Sequence, residues 1–432
     1  MAGIHCEFED IQSSLTRLLQ HEKFPQPDVS CLVVGFSGGV DSTVLLYALC
    51  AKPPRLPVHA VYVNHGLSPL ASQWQAHCES ICDSLGVPFA ARNITVSAKP
   101  RQSLEADARD GRYHTLLNYC ATHRGALLLG QHQDDQAETF LLQAKRGAGP
   151  KGLSAMPAIT IRDGVPVLRP MLHMPQSRIT RIARKSAISW IEDESNADNR
   201  FDRNFLRNTV MPSLRERWPG IAKTLSRSAG LCAQQQQLLE EVADEKLTSV
   251  MEGDAISIAL LQQHSAGWQQ QIIRAWFSYK NVPMPGDSQL EQVQLMCAAR
   301  NDAQPVVSLG GWEIRRYADK LSLVKPLCQP PQEALMASPD EMLDYPWSAS
   351  AKFSVNQTVR VLANMPAVQC RMNANSVSKP LKKWMKEWQI PAWERKHLPV
   401  LFIDQQPIAV VTGRRVYYFT GRPDGFEVTL ID

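Results

Sequence analysis

The sequence predicts an α/β fold, a doubly wound parallel sheet, joined to a helical middle domain and a small mixed C-terminal domain. Three observations predict it. Between residues 31 and 130, short apolar β-branched runs alternate with helix-length segments, the pattern of βαβ units in a sheet covered on both faces. A Gln- and Leu-rich helical stretch without that alternation follows at 221–249. Beyond a proline-rich, acidic segment at 326–350, the pattern shortens to strand-length pieces around one helix near 379–389.

The elements follow in order. Residues 7–21 have amphipathic helical spacing, and 31–36 (Cys-Leu-Val-Val-Gly-Phe) form the first strand. Further strands are expected at 58–63, at 87–89 with 94–96, and at 126–130, with helices near 70–85 and 103–122 between them. Helical patterns continue at 134–146, 176–186 and 203–217. Residues 256–325 have helical spacing and end in a hairpin at 306–309 and 321–324, and the 326–350 segment, free of Lys and Arg, is expected as a connector. The domains are therefore drawn at 1–217, 218–326, a linker at 327–350, and 351–432.

Composition narrows the classes of function. At 432 residues, 44% apolar and 20% charged, the chain has the make-up of a globular protein of several domains. It has no run of about 18 uncharged apolar residues, and its start, Met1-Ala2-Gly3-Ile4-His5-Cys6-Glu7, carries no signal core. No membrane partner and a cytoplasmic location are expected. Ten cysteines are scattered without a Cys-x-x-Cys pair, which suits reduced thiols. Cys78 and Cys82 share a helix face but lack further nearby ligands, so they make a poor metal site. The net charge of +4 is uneven: residues 351–432 and 169–227 each hold twelve Lys/Arg against six Asp/Glu. Two basic regions on an otherwise acidic chain suggest a polyanionic partner held at two places.

The most informative segment is Ser37-Gly38-Gly39-Val40-Asp41-Ser42, between the first strand and a helix. Adjacent glycines let the backbone bring its N–H groups close to an anion, and the helix N-terminus favours negative charge there. Ser37 and Ser42 can donate to phosphate oxygens. Asp41 cannot bind phosphate directly, but beside a polyphosphate it can help hold a divalent cation. A plain strand–helix turn would explain a Gly-Gly pair, not the whole six-residue pattern. The lysine of the Gly-x-x-x-x-Gly-Lys P-loop is missing, as is the dinucleotide Gly-x-Gly-x-x-Gly.

Other chemical residues gather at strand ends. Asn64-His65-Gly66 and Gln131-His132 follow strands as Ser37 does, so they converge on one sheet edge, where ligands bind in such folds. In Gly130-Gln131-His132-Gln133-Asp134-Asp135-Gln136-Ala137-Glu138-Thr139, residues His132, Asp135 and Glu138 share a helix face. Helix capping explains one acid; a carboxylate pair facing the phosphate loop could also hold a metal ion or recognise an ammonium group. Arg146 lies in a basic, glycine-rich stretch, Lys145-Arg146-Gly147-Ala148-Gly149-Pro150-Lys151-Gly152. Arg203 and Arg207 stand four apart on a helix and can grip phosphates or a base edge.

The 37–42 segment resembles the PP-loop of ATP pyrophosphatases, which split ATP into AMP and pyrophosphate. With Val63-Asn64-His65-Gly66-Leu67-Ser68, Glu105-Ala106-Asp107-Ala108-Arg109-Asp110-Gly111-Arg112-Tyr113, the 132–139 and 146–153 segments, Asp193-Glu194-Ser195-Asn196 and 203–207 in this order, the chain resembles the bacterial tRNA(Ile)-lysidine synthetases. The likeness runs almost continuously over 31–217 and more thinly through 381–402, where Lys379-Pro380-Leu381-Lys382-Lys383 departs from the family's basic run at Pro380. It implies an adenine nucleotide hydrolase-like fold and an enzyme that joins L-lysine to the wobble cytidine of tRNA(Ile) with a CAU anticodon. ATP would first adenylate the base. The resemblance implies ATP at Ser37, Gly38, Gly39, Val40, Asp41, Ser42 and His65, with Mg²⁺ at Asp41. It implies chemistry at Asp41, Arg112, His132, Asp135 and Glu138, and tRNA contacts at Arg146, Arg203, Arg207, Lys379, Lys382 and Lys383. The competing readings are a PP-loop tRNA thiolase, which needs a reactive or cluster-binding cysteine, and a non-catalytic RNA-binding protein, which needs no PP-loop.

Overall fold

The computed structural model describes residues 7–25, 28–66, 68–94, 104–299, 304–345, 347–348, 352–413 and 415–431. The chain divides into two compact units, Met1–Leu239 and Glu240–Asp432.

The first unit is built on six strands: β1 (Cys31–Gly35), β2 (Val58–Asn64), β3 (Phe89–Asn93), β4 (Gly125–Leu128), β5 (Ile159–Arg162) and β6 (Val165–Leu168). Their order is β3-β2-β1-β4-β6-β5. All pairings are parallel except the β5–β6 hairpin. The helices are α1 (Glu9–Leu19), α2 (Val40–Ala51), α3 (Ala71–Leu85), α4 (Leu104–Thr122), α5 (Gln133–Lys145), α6 (Pro150–Leu153), α7 (Gln176–Lys185), α8 (Asp202–Phe205), α9 (Met211–Arg217) and α10 (Ile221–Val250).

Continuous apolar runs at β1 and β4 make sense because both faces of the sheet are covered. On one face Leu32 and Val34 pack with Ile11 of α1, Leu45 of α2, Cys78 of α3 and Ile179 of α7. On the other, Val33 and Leu127 meet Leu116, Leu117 and Cys120 of α4. Helix α2 is apolar almost all round because it lies against α1 and α7 as well as β1.

The topology positions the site. The chain winds outward from β1 through β2 to β3, then returns to place β4 on the other side of β1. The crevice at the carboxyl ends of β1 and β4 is therefore the switch point at which doubly wound sheets bind ligands. Both the 37–42 turn and the 130–132 segment open there.

Two local expectations are corrected. The third strand is one run, Phe89–Asn93, paired with β2 through Ala90, Ala91 and Arg92; Thr95 and Val96 lie outside the described residues. Pairing to a central strand overrides the weak β propensity of alanine. The 203–217 helix is also not continuous, because a π-helical turn, Leu206–Val210, separates α8 from α9. Pro212 at the start of α9 has no N–H for the carbonyl one turn back, and a widened turn relieves the misfit.

The second unit holds two five-stranded antiparallel sheets and two two-stranded ones. The first, β7 (Met251–Glu252), β8 (Ala255–Ser257), β9 (Val306–Leu309), β10 (Trp312–Tyr317) and β11 (Lys320–Val324), has the order β7-β8-β11-β10-β9. It packs with α11 (Ile258–Leu261), α12 (Ala266–Tyr279) and α13 (Asp287–Ala298) around Trp276, Phe277, Leu290 and Ile314. The helical part thus carries a whole sheet rather than a hairpin. Arg316 of β10 closes α13 by donating to the carbonyls of Met296 (2.8 Å) and Cys297 (3.3 Å).

The second sheet has the order β12-β14-β17-β18-β19, from β12 (Leu335–Ala337), β14 (Val359–Leu362), β17 (Val400–Ile403), β18 (Gln406–Val411) and β19 (Val416–Tyr418). Two strand pairs flank it: β13 (Lys352–Val355) with β20 (Val428–Ile431), and β15 (Gln369–Cys370) with β16 (Lys379–Pro380). Helices α14 (Leu381–Glu387) and α15 (Ala392–Arg395) complete it. The connector expected at 327–350 is not all linker. Its residues 335–337 pair with β14, and Ala337 and Leu343 are buried in this core. Proline-rich composition marks an edge position here, where few ladder bonds are needed.

Candidate active site

The phosphate turn is held open by its own hydroxyls. Ser37 N–H donates to Ser42 Oγ (3.2 Å), and the Ser37 and Ser42 hydroxyls lie 3.2 Å apart. Ser42 and Thr43 hydroxyls donate to Gly39 O (3.1 and 2.9 Å). Gly39 is the N-cap of α2 and offers no side chain to cap it. The first N–H groups of the helix therefore point at the crevice without intrahelical carbonyls. Gly38 has φ +77°, and a β-carbon there would stand 2.6 Å from Ile191 Cδ1 and 2.8 Å from Cys78 Sγ. Its carbonyl accepts from Ile191 N–H (2.8 Å), so residues 190–191 brace the turn from outside.

Gly130 sets how closely β4's exit approaches that turn. A β-carbon on it would lie 2.9–3.0 Å from the backbone C and O of Asp41 and N of Ser42. This approach brings His132, 1% exposed, to Asp41, with Nε2 3.6 Å from Asp41 Oδ2. His132 is the N-cap of α5: its Nδ1 faces Asp135 N–H (3.4 Å), while Asp135 Oδ2 accepts from His132 N–H (3.0 Å). Burial pulls the imidazole's pKa down, but Asp135, Asp41 and Asp134 outweigh it, and the net shift is upward.

Asp135 therefore caps the helix and serves the site with different oxygens. Its Oδ1 accepts from Nη2 of both Arg203 and Arg207, at 2.8 Å each. Glu138, buried beside it, accepts from Arg203 Nε (2.9 Å), Arg207 Nε (2.7 Å) and Arg207 Nη2 (2.9 Å). Two arginines thus fork two carboxylates. Burial pushes the Asp135 carboxyl upward, yet His132, Arg203 and Arg207 hold it at about 2. Arg207 loses some of its hold on the proton to burial but gains more from Glu138 and Asp135, and its pKa rises.

The remaining expected residues fall in three places. Arg112 and His65 belong with this cluster. Burial and then Arg109 and Arg203 push Arg112 down, and burial and then Arg112 push His65 down, against Asp193. Arg146 is exposed at the far end of α5, about 18 Å from its N-terminus. Lys379, Lys382 and Lys383 belong to the second unit. Lys379 pairs with Glu387 (2.6 Å) and lies over Trp384, whereas Lys382 and Lys383 are exposed.

Sequence reading missed several supports. Arg215 of α9 pairs with Asp134, whose other oxygen accepts from Gln176 N–H (2.7 Å) at the start of α7. Lys145 grips Asp202 through both carboxylate oxygens, each at 2.7 Å, anchoring α8 to the end of α5. Partners tens of residues apart leave no local spacing signal.

Asp41 is suited to a cation. Its Oδ1 is buried and has no hydrogen-bond partner, beside N–H groups arranged for phosphate. No cluster of three or more metal-ligating side chains exists among the described residues.

Three segments of the chain match known families. Residues 8–214 match a family model described as "PP-loop domain", 256–322 a "TilS substrate binding domain", and 359–420 a "TilS substrate C-terminal domain". A protein of Edwardsiella ictaluri named tRNA(Ile)-lysidine synthase is 40% identical over 88% of this chain and 90% of its own. Proteins of the same name from Vibrio parahaemolyticus and Histophilus somni are 37% and 34% identical, covering 93% and 90% of this chain and 95% and 96% of theirs.

Gly130→Ala should drive the β-carbon into the Asp41–Ser42 backbone, at a strain of about 1–3 kcal/mol. ATP affinity measured by calorimetry should fall about tenfold; an unchanged Kd would refute this role for the close approach. Asp135→Asn leaves buried guanidiniums short of a partner and should cost about 3–5 kcal/mol in urea unfolding. The native Asp135 carboxyl is held below its unfolded value, so its stabilisation is present above about pH 4 and lost as pH falls through about 2. The stability gap between wild type and variant should therefore stay constant at neutral pH and close only in acid.

Proposed function

The chain belongs to the tRNA(Ile)-lysidine synthase family, and from that premise we propose how its residues carry out an ATP-dependent ligation on tRNA. The substrates in this reading are ATP, L-lysine and a tRNA(Ile) whose anticodon is CAU. The single observation that carries it is the switch-point crevice: a phosphate turn with an orphaned carboxylate oxygen on Asp41 faces a carboxylate pair already satisfied by cations.

The N–H groups at the start of α2, with the Ser37 and Ser42 hydroxyls, hold the β- and γ-phosphates of ATP. Charge builds on pyrophosphate as the cytidine carbonyl oxygen bonds to the α-phosphorus and the α–β bond breaks, and fixed donors stabilise that charge without reorganising. Mg²⁺, held by Asp41, would neutralise part of the same charge. The missing P-loop lysine fits a site that releases pyrophosphate whole. His132 positions the Asp41 carboxylate from the other side of the crevice.

In the second half, the lysine ε-ammonium gives a proton to solvent, the freed amine bonds to the activated ring carbon, the bond from that carbon to the oxygen carried by AMP breaks, and the second amine proton passes to solvent as AMP leaves. Asp135 and Glu138 recognise the incoming ammonium, which takes the place of guanidinium N–H donors. Asp135, held near 2, binds charge rather than accepting a proton. The guanidiniums of Arg203 and Arg207 released by that exchange are then available to the anticodon loop, and Arg112 to a phosphate or the lysine carboxylate. Residues 1–217 carry the chemistry, and 218–326 and 351–432 hold the tRNA, with Arg146, Lys379, Lys382 and Lys383 among the residues that touch it.

A thiolase reading is disfavoured by the thiol nearest the turn: burial and then Cys82 push Cys78 up to about 12, too high for a sulfur carrier. A mere RNA-binding protein would not need the phosphate turn. No helix among the described residues is long and apolar enough to cross a membrane, and we place the enzyme in the cytoplasm with its tRNA.

Labelled lysine should enter tRNA only with ATP, which should appear as AMP and pyrophosphate. Asp41→Asn and Ser37→Ala should each lower incorporation at least about a hundredfold, as losing a cation ligand or a transition-state donor does, while tRNA affinity persists. ADP as the product, or equal loss of tRNA binding, would overturn the reading. Replacing Lys382 and Lys383 by alanine should flatten the slope of log Kd against log[salt] by about 0.7–0.9 for each phosphate that the variant no longer neutralises.

A further inference from the structure

Beside the carboxylate network, α4 and the β5–β6 hairpin gather four arginines around one tyrosine. The guanidinium carbon of Arg162 lies 4.7 Å from the centre of the Tyr113 ring, and that of Arg109 lies 5.5 Å from it. Arg169, buried directly after β6, interacts with the Tyr113 hydroxyl and donates to Gln131 Oε1 and to Pro157 O (2.9 Å). Arg112 precedes Tyr113 on the same helix. Arg109, Arg112 and Arg162 make no hydrogen bond or ion pair among the described residues.

This arrangement concentrates positive charge. Guanidiniums stay charged at any physiological pH; the Tyr113 face lies against Arg109 and Arg162, Asp135 offsets part of the charge on Arg112, and Arg162 is exposed to water. Burial and then Arg109 weaken Arg112's hold on its proton, and burial, with Arg109 and Arg162 adding, weakens that of Arg169. The place is also telling. The N-terminal half of α4 stands at the carboxyl edge of the sheet, because the β3–α4–β4 crossover runs back against the strands. Gln131 ties Arg169 to the residue before His132. Strand β6 is two positions from β1, about 10 Å from the phosphate turn, so the cluster borders the site without sharing its triphosphate cradle.

We infer that Arg109 and Arg162, held on Tyr113 and backed by Arg169, form a second phosphate-binding site that takes a backbone phosphodiester of the RNA substrate next to the reacting nucleotide. The inference rests on tRNA as the substrate. A planar guanidinium fork matches a phosphodiester's two free oxygens, and stacking on Tyr113 fixes the forks before RNA arrives, so little side-chain freedom is lost on binding.

The test uses the full chain, tRNA-binding curves across a salt series, and separate KM values for tRNA and ATP. Arg109→Ala and Arg162→Ala should each weaken tRNA binding several-fold and flatten the log Kd–log[salt] slope by about 0.7–0.9, with KM for ATP within twofold of wild type. Arg162→Lys keeps the charge and should keep most of the slope. An unchanged slope in both alanine variants overturns the proposal. So does a raised KM for ATP with tRNA binding intact, which would assign the cluster to the triphosphate. Equal losses in Arg162→Lys and Arg162→Ala, accompanied by an equal fall in Tm, would reduce the cluster to packing and overturn it as well. Failure of the wild type to incorporate lysine would remove the proposed ligation chemistry but leave the salt-slope comparison decisive.

Discussion

The forked pairing of Asp135 and Glu138 with Arg203 and Arg207 is the interaction on which the rest of the site depends. Two carboxylates side by side in a buried crevice would repel each other and draw in protons. The two guanidiniums, arriving from α8 and the π-helical turn more than sixty residues later, bridge both acids and help hold the Asp135 carboxyl low. They also tie the start of α5 to the 202–217 segment, with Lys145–Asp202 and Asp134–Arg215 fastening either side. Charge pairing at this depth adds little net stability compared with an apolar packing of the same volume. Its effect is to line the pocket beside the phosphate turn with paired charges.

That pocket is useful only because the switch point brings β1 and β4 together. Asp41 belongs to the β1 side and His132 to the β4 side, and Gly130 is the residue whose missing side chain lets the two backbones touch. The turn has no lysine and its helix has no side-chain cap, so the N–H groups at its start and one Asp41 oxygen stay without a protein partner. The two halves of the proposed reaction, release of pyrophosphate and recognition of an amine, are thus laid out on neighbouring strands.

Charge counting along the chain does not show which basic residues the fold pairs internally. The excess of basic residues at 169–227 is largely consumed inside the protein. Arg178 and Lys185 pair with Asp10 and Glu7, Arg200 with Asp198, and Arg203, Arg207 and Arg215 with the acids of α5. Among the described residues, Arg109, Arg112 and Arg162 make no ion pair with a carboxylate, and they lie outside that basic region. A residue's availability for a partner depends on which opposite charges the fold places within reach.

Much was legible before any fold was known, because the signals are local. The apolar runs at 31–35, 58–64 and 125–128, the glycine turn at 37–42 and the 3-residue spacing of His132, Asp135 and Glu138 each depend on neighbours a few residues away. By itself the sequence determined the parallel α/β class, the anion-binding turn and the edge on which the chemical residues meet. It did not reveal the single run of β3, the π turn before Pro212, the sheet within the helical part, or the strand in the proline-rich segment, since each is decided by a partner distant in the chain. Only the tertiary structure decided that Arg203 and Arg207 face the carboxylates rather than solvent. It also decided that Gly130 sets the width of the crevice and that Tyr113 collects unpaired arginines. Electrostatic and steric fits of that kind act through space, between residues that spacing along the chain cannot relate.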